Sequence, residues 1–280
     1  MRRPFALAIG VLVLAGLQAA TAEEIYSRQC LAGCPVGAPD SNELVIRDIY
    51  ILSNNPETKF ADWIAYQVLP DNIGSSQNRV WRADPWLPAT STLEPDDYRG
   101  ANAALHTDRG HQAPLGSFTG TAHWRDTNYL SNITPQSSSL NQGPWVRLET
   151  AVRTLAQQVA VDSVYVVTGP LYERQMPALP GADEPHRVPS GYWKIVAIQN
   201  GSIIRVTGFI FDQDTPRSAN MCDHVETVDT VEQRSGIDFF QALPDPAETA
   251  LERASSLTNQ LGCAGGGAGV SVTAQPTQTP

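Results

Sequence analysis

The first 22 residues decide the compartment in which this chain folds, and with it the cross-links its fold can use. Arg2 and Arg3 precede an apolar run over 5–17, which ends in the small-residue segment Ala20-Thr21-Ala22. That order is the signature of an export signal, and cleavage is predicted after Ala22. The run falls short of the roughly 20 residues a membrane span needs, and no later stretch is long and apolar enough, so no membrane is expected for the mature form. The protein is expected to be secreted or periplasmic. Export favours oxidised thiols. The four cysteines, Cys30, Cys34, Cys222 and Cys263, admit three pairings. The local-plus-distant pairing Cys30–Cys34 with Cys222–Cys263 is the simplest, and the Cys-x-x-Cys and His-x₃-His spacings of a zinc site are missing.

With 41% hydrophobic residues in 280, the chain has enough apolar side chain for a packed core, which excludes wholesale disorder, a collagen-like repeat and a coiled coil. One domain over 23–263 is expected after the signal at 1–22. The final stretch, 264–280, is rich in Gly, Ala and Thr, contains no large core residue, and is expected to be a disordered tail. Runs at 43–52, 63–69, 163–168, 193–198 and 203–211 are rich in β-branched and aromatic residues and read as strands. Helices are predicted over 145–159, 228–235 and 247–261, the last ending at Gly262. The fold class is α+β, a central and mainly antiparallel β-sheet flanked by helices and long loops. Pro85, Pro88 and Pro95 interrupt the region from 72 to 118, and long loops on a sheet scaffold are where sites tend to sit.

The formal charge is −10, and loss of Arg2 and Arg3 takes it to −12. No global field attracts a polyanion, so any nucleic-acid binding must come from a local cluster of arginines. The segment Asp108-Arg109-Gly110-His111 supplies the relevant chemistry. On an extended backbone alternate side chains share a face, which puts the Arg109 cation beside the His111 base. A neutral imidazole can take a proton from water, and a guanidinium binds phosphate oxygens. Further on, Asn141, Trp145, Glu149 and Arg153 recur every four residues, a loose stripe if helical. The same stripe could be a solvated face with a Glu149–Arg153 ion pair. Magnesium keeps several waters and prefers oxygen, so the amide oxygen of Asn141 could suffice as its direct protein ligand.

These residues resemble a known family. Asp108-Arg109-Gly110-His111, followed by Asn132-Ile133-Thr134-Pro135-Gln136 and then by Asn141 and Glu149, is similar to the signature of the secreted, sugar-nonspecific DNA/RNA endonucleases of the Serratia nuclease type. That group is related to endonuclease G and carries the ββα-metal (His-Me finger) motif. The likeness runs from about Asp48 to Cys263. It implies a metal-dependent phosphodiester hydrolase that cuts single- and double-stranded DNA and RNA to 5′-phosphorylated products. It implies His111 as general base, Asn141 as the sole direct ligand of Mg²⁺, with Mn²⁺ as an alternative ion, and Glu149 as holder of metal-bound water. Arg79, Arg109 and Arg153 match phosphate-contacting positions, and Asn128 and Asn132 match asparagines that support or contact substrate. Asp108 is read as fixing the loop rather than as a metal ligand.

Two other functions fit the same residues: a catalytically weak nucleic-acid-binding protein on this fold, and a hydrolase of small phosphodiesters. Some members of the group form homodimers, but no interface can be identified from the sequence. Pro144 departs from the helical pattern, because proline inside a helix removes a hydrogen bond and clashes with the preceding turn. Either Asn141 precedes the regular helix or Pro144 distorts its first turn. His106, His123, His186 and His224 show no ligand spacing. Trp81, Trp145 and Tyr129 are expected to fill core more than to stack on bases.

Overall fold

The computed structural model describes residues 25–75 and 77–272. The predicted signal at 1–22 and the last eight residues of the tail lie outside them. No helix among the described residues is long and apolar enough to cross a membrane.

The strands are β1 (Glu43–Ile46), β2 (Ile51–Asn55), β3 (Phe60–Val68), β4 (Thr107–His111), β5 (Ile133–Ser137), β6 (Val164–Leu171), β7 (Gly191–Asn200), β8 (Ile203–Asp212), β9 (Val225–Glu226) and β10 (Val270–Ser271). Helices α1 (Ala101–Leu105), α2 (Ser138–Leu140), α3 (Val146–Ala156), α4 (Val228–Ser235) and α5 (Asp245–Glu252) alternate with them. The large sheet runs β1-β2-β3-β6-β7-β8-β10, with β9 also on β8, and β4 and β5 form a separate hairpin. Every pairing is antiparallel. The α+β expectation holds.

Both faces of the large sheet are covered, which is why its central strands read as nearly continuous apolar runs. On one face Ile64, Tyr66, Val166, Tyr192, Val196 and Phe209 pack beneath Leu148, Val152 and Leu155 of α3. On the other, Trp63, Ala65, Trp193, Ile195 and Val206 pack against Val228 and Val231 of α4 and Leu251 of α5. The period-two alternation assigns even positions of β7 to the α3 side. Lys194 therefore points into that core, where it is fully buried.

Four sequence expectations are corrected. The run 43–52 is two strands rather than one: Arg47 N donates to Tyr50 O at 2.8 Å in a tight turn, and Arg47 pairs with buried Asp84 while its guanidinium lies 4.0 Å over Trp86 and 4.4 Å over Tyr129. The predicted helix 247–261 stops at Glu252, because Ser256 and Leu257 turn to bond β8: Val206 N donates to Ser256 Oγ and Leu257 N to Val206 O. Hydroxyls that offer the backbone another partner commonly end helices. The helix predicted over 145–159 is regular only over Val146–Ala156. Finally, part of the predicted disordered tail is strand, since Val270 and Ser271 pair with Ile204 and Ile203 of β8.

Disulfides join Cys30 to Cys34 and Cys222 to Cys263. The second anchors the segment after β8 to the stretch between α5 and β10.

Candidate active site

The hairpin β4–β5 leads directly into α2, a ββα unit laid over the edge of the α3 layer. In its register Arg109 faces Pro135, Gly110 faces Thr134 and His111 faces Ile133. Gly110 is required by close approach: a Cβ there would lie 2.5 Å from Gln136 Oε1 and 2.7 Å from Gln136 Cβ. Ser137 ends β5 by capping α2, accepting from Leu140 N, while its hydroxyl donates to Gln213 O at 2.6 Å.

Pro144 resolves into a break. Residues Asn141–Trp145 form one wide π-type turn, and Gly143 leaves helical space at φ −114° and ψ −119°. Single π turns of this kind are frequent at functional sites. Gly143 lets the backbone of Arg217 pass, since a Cβ at 143 would meet Arg217 O at 2.7 Å. Asn141 thus stands before the regular helix, and Glu149 and Arg153 follow on α3, beside the apolar stripe that seats α3 on the sheet.

These elements surround a cavity of about 680 Å³, lined by Arg79, Arg109, His111, Asn141, Glu149 and Arg153 among others. The structure brings together every residue expected to catalyse or to bind metal. The asparagines expected to support or contact substrate stand behind the lining. Asn128 and Asn132 are buried and do not line the cavity. Asn132 is consumed by the backbone, donating to Ala113 O at 2.9 Å and Thr127 O at 2.8 Å and accepting from Ala113 N at 2.7 Å. Asn128 stands behind His111, with Oδ1 3.4 Å from His111 Nε2. An amide oxygen only accepts, so with the Asn128 amide in this orientation Nε2 carries the proton and Nδ1 is left with the lone pair. Burial, then the nearby Arg79 cation, hold the His111 pKa down to about 4, against the opposing pull of Asn128. At neutral pH the ring is a free base.

Asp108 does not present itself as a ligand. It accepts from Ser138 Oγ (2.6 Å), Gln142 Nε2 (2.8 Å), Asn141 Nδ2 (2.9 Å) and Asn102 Nδ2 (3.0 Å). Burial opposes its ionisation, but these four donors outweigh it and hold the carboxyl below its ordinary pKa. With Asn141 Nδ2 engaged, Oδ1 is left as the amide atom available to the cavity. One neutral oxygen and the Glu149 carboxylate form a sparse, hard donor set, which fits a divalent cation that keeps most of its water.

Glu149 is a half-buried acid in the cavity wall. Burial raises its pKa, and Lys194, Arg153 and Arg79 pull it back. Lys194 lies beneath it, its Nζ donating to Tyr66 Oη at 3.3 Å and resting 4.3 Å from the Trp145 ring. Burial lowers the ammonium pKa to about 8, with the Glu149 charge acting in the opposite sense. Arg109 donates to Pro95 O at 2.8 Å and lies over the Tyr98 ring at 5.1 Å. Arg153 donates to Thr150 Oγ1 at 2.9 Å.

A family model for DNA/RNA non-specific endonucleases matches residues 33–246, which include the hairpin, the π turn and α3. The chain belongs to this endonuclease family. It is 46% identical over 259 residues to a nuclease of Serratia marcescens, covering 92% of this chain and 97% of that protein. It is 34% identical over 140 residues to human mitochondrial endonuclease G, covering 49% of this chain and 45% of that one. A solved structure of an EndoG/EndoGI complex has the same fold, with a TM-score of 0.60 at 22% identity, covering 72% of this chain and 87% of that chain.

Sequence reasoning about this endonuclease missed three residues. Trp81, expected to be core, lines the cavity with its ring 5.2 Å from that of His111. Arg217 adds a fourth arginine to the lining. Lys194 had a usable signal: a lone charge inside the apolar run Tyr-Trp-Lys-Ile-Val-Ala-Ile must be buried if that run is a central strand. Trp145 and Tyr129 are structural, and His106, His123, His186 and His224 lie outside the cavity lining.

Proposed function

We propose that this endonuclease is an exported, Mg²⁺-dependent enzyme that hydrolyses DNA and RNA without sugar preference, leaving 5′-phosphates. The observation that carries this reading is the convergence, on one cavity, of the neutral base His111, the Asn141 amide and four arginines. His111 Nδ1 takes a proton from the attacking water while Asn128 holds the ring through Nε2. Arg79, Arg109 and Arg153 bind non-bridging phosphate oxygens and neutralise charge that grows at phosphorus. Backbone-phosphate contacts carry little base information, which suits action on both polymers.

Asn141 Oδ1 would hold the cation directly and Glu149 would accept hydrogen bonds from its water shell, with Asp108 fixing the amide. Bound there, Mg²⁺ supplies Lewis-acid stabilisation of the phosphate and of the departing 3′ oxygen. The all-oxygen donor set suits Mg²⁺ and, equally, Mn²⁺. The test is digestion of supercoiled plasmid and of folded RNA by the mature chain, in magnesium and in chelator, beside His111→Ala. Magnesium-dependent loss of both polymers that vanishes in the variant is expected; no cleavage by folded, metal-supplied wild type would overturn the reading.

A further inference from the structure

On the face of the sheet opposite the cavity, five carboxylates from three segments converge. Oxygens of Asp229 and Glu232 on α4 and of Glu252 on α5 lie within 4.8 Å of one another. Those of Asp238, Glu248 and Glu252 do the same. Glu252 is common to both sets and is only 8% exposed. Among the described residues no hydrogen-bond donor or cation partners its carboxylate, and the charged groups that act on it are the acids Glu232, Glu248, Asp229 and Asp238. Relief for the others is slight. Glu232 Oε1 accepts from Phe239 N at 3.1 Å, and the exposed Arg253 guanidinium reaches Asp229 at 3.6 Å.

A buried carboxylate is tolerated when it is paired or coordinates a metal. Here the inward acid has neither a basic partner nor a donor, and it is aimed at four further acids. Protons are the competing relief, since burial and the neighbouring acids raise Glu252 to about 8 and Glu232 to about 7.

We propose that this cluster is a calcium site, with Glu252 as its central ligand and Asp229, Glu232, Asp238 and Glu248 around it. Calcium accepts six to eight oxygens in flexible geometry, whereas magnesium demands a near-ideal octahedron and gives up water reluctantly. A crowded carboxylate set drawn from two helices and the segment between them suits the larger ion. Calcium there ties α4 to α5 and stabilises the C-terminal layer, and it leaves the cavity on the other face untouched.

The test uses the mature chain stripped with chelator and read by calorimetric titration and by thermal unfolding. Wild type is compared with E252Q and with the double variant D229N/E232Q, whose side chains are half-exposed and so carry the test should E252Q fail to fold. One calcium per chain is expected to bind with sub-millimolar affinity and to raise Tm by several degrees, as extracellular sites of about 10⁻⁴–10⁻³ M do. Both variants should bind at least tenfold more weakly, with Mg²⁺-supported cleavage unchanged. Three results would overturn the proposal: no calcium uptake at about 1 mM, equal uptake in wild type and both variants, or stabilisation by acidification from pH 8 to 6 to which calcium adds nothing.

Discussion

Asp108 Oδ2 accepts the amide proton of Asn141 Nδ2 at 2.9 Å, and this bond decides which end of the Asn141 side chain serves the cavity. An amide whose nitrogen is held presents its oxygen. Removing Asp108 frees the amide to rotate and also releases Ser138, Gln142 and Asn102. Asp108→Ala should therefore raise the magnesium concentration for half-maximal cleavage by about 10–100-fold, the usual effect of losing a group that orients a metal ligand. Magnesium titration of cleavage, with folding followed by circular dichroism, checks this. An unchanged midpoint in a folded variant would show that Asp108 does not position Asn141.

His111 should impose no acid limit of its own until well below the ordinary imidazole range, so the acid limb above that point belongs to the Glu149 carboxylate, whose pKa burial raises. The folded pKa of His111 is held down to about 4 by burial and Arg79, so protonation removes the base only as pH falls through about 4. His111→Ala should lower kcat/KM by about 10²–10⁴-fold. The same shift has a stability consequence. Between about 4 and the unperturbed value of about 6.5, the unfolded chain binds a proton that the folded chain refuses, so this group makes stability rise with pH across that window. A kcat/KM profile with a His111 break near pH 6.5 would contradict the assignment.

Much of this was legible in the sequence, and the limits have physical causes. Strands β6, β7 and β8 are buried on both faces, so their apolar runs stand out without periodicity. The pair Arg109 and His111 was visible because β4 is extended and alternate residues share a face. Contacts between distant segments leave no local mark. Nothing near Asn141 announces that Arg217 runs against Gly143, or that this approach, with Pro144, turns a helical stripe into a π turn. Asn128 and Asn132 carry no sequence sign separating a residue that touches substrate from one that bonds the loop beneath it. The break after Glu252 depends on Ser256 reaching β8, a partner some fifty residues away in the chain.

Lys194 provides a test of the floor of the site. Its buried ammonium opposes the burial that raises Glu149, and an opposite charge nearby favours the ionised acid. Lys194→Met should raise the Glu149 pKa further and move the acid limb of cleavage to higher pH. A parallel loss of kcat at all pH values, with no change in profile shape, would indicate packing damage instead.

The Cys222–Cys263 bond spans a sequence separation of 41. Closing a loop of that length in the unfolded chain corresponds to about 4 kcal/mol in the chain-entropy model. Both cysteines lie away from the cavity. Replacing both with serine should lower unfolding free energy by about 2–4 kcal/mol, read by denaturant titration, with magnesium-dependent kcat retained at low temperature. A large fall in kcat with little loss of stability would place the bond in the catalytic machinery.

The chain carries a net charge of −10, yet its cavity is lined by Arg79, Arg109, Arg153 and Arg217. Attraction of a polyanion must then be local, and it should weaken in discrete steps as those arginines are removed. Each phosphate neutralised on duplex DNA contributes about 0.9 to the slope of log affinity against log salt. Arg79→Ala and Arg153→Ala should each lower that slope by about one, measured by binding to duplex in calcium with the cleavage-deficient His111→Ala background. Arg79 is exposed and free to reach a phosphate, so its loss should fall mainly on binding. Arg153 also bears on the Glu149 charge, so its loss should fall on kcat as well. Equal salt slopes in wild type and both variants would mean that the polyanion is held elsewhere on the surface.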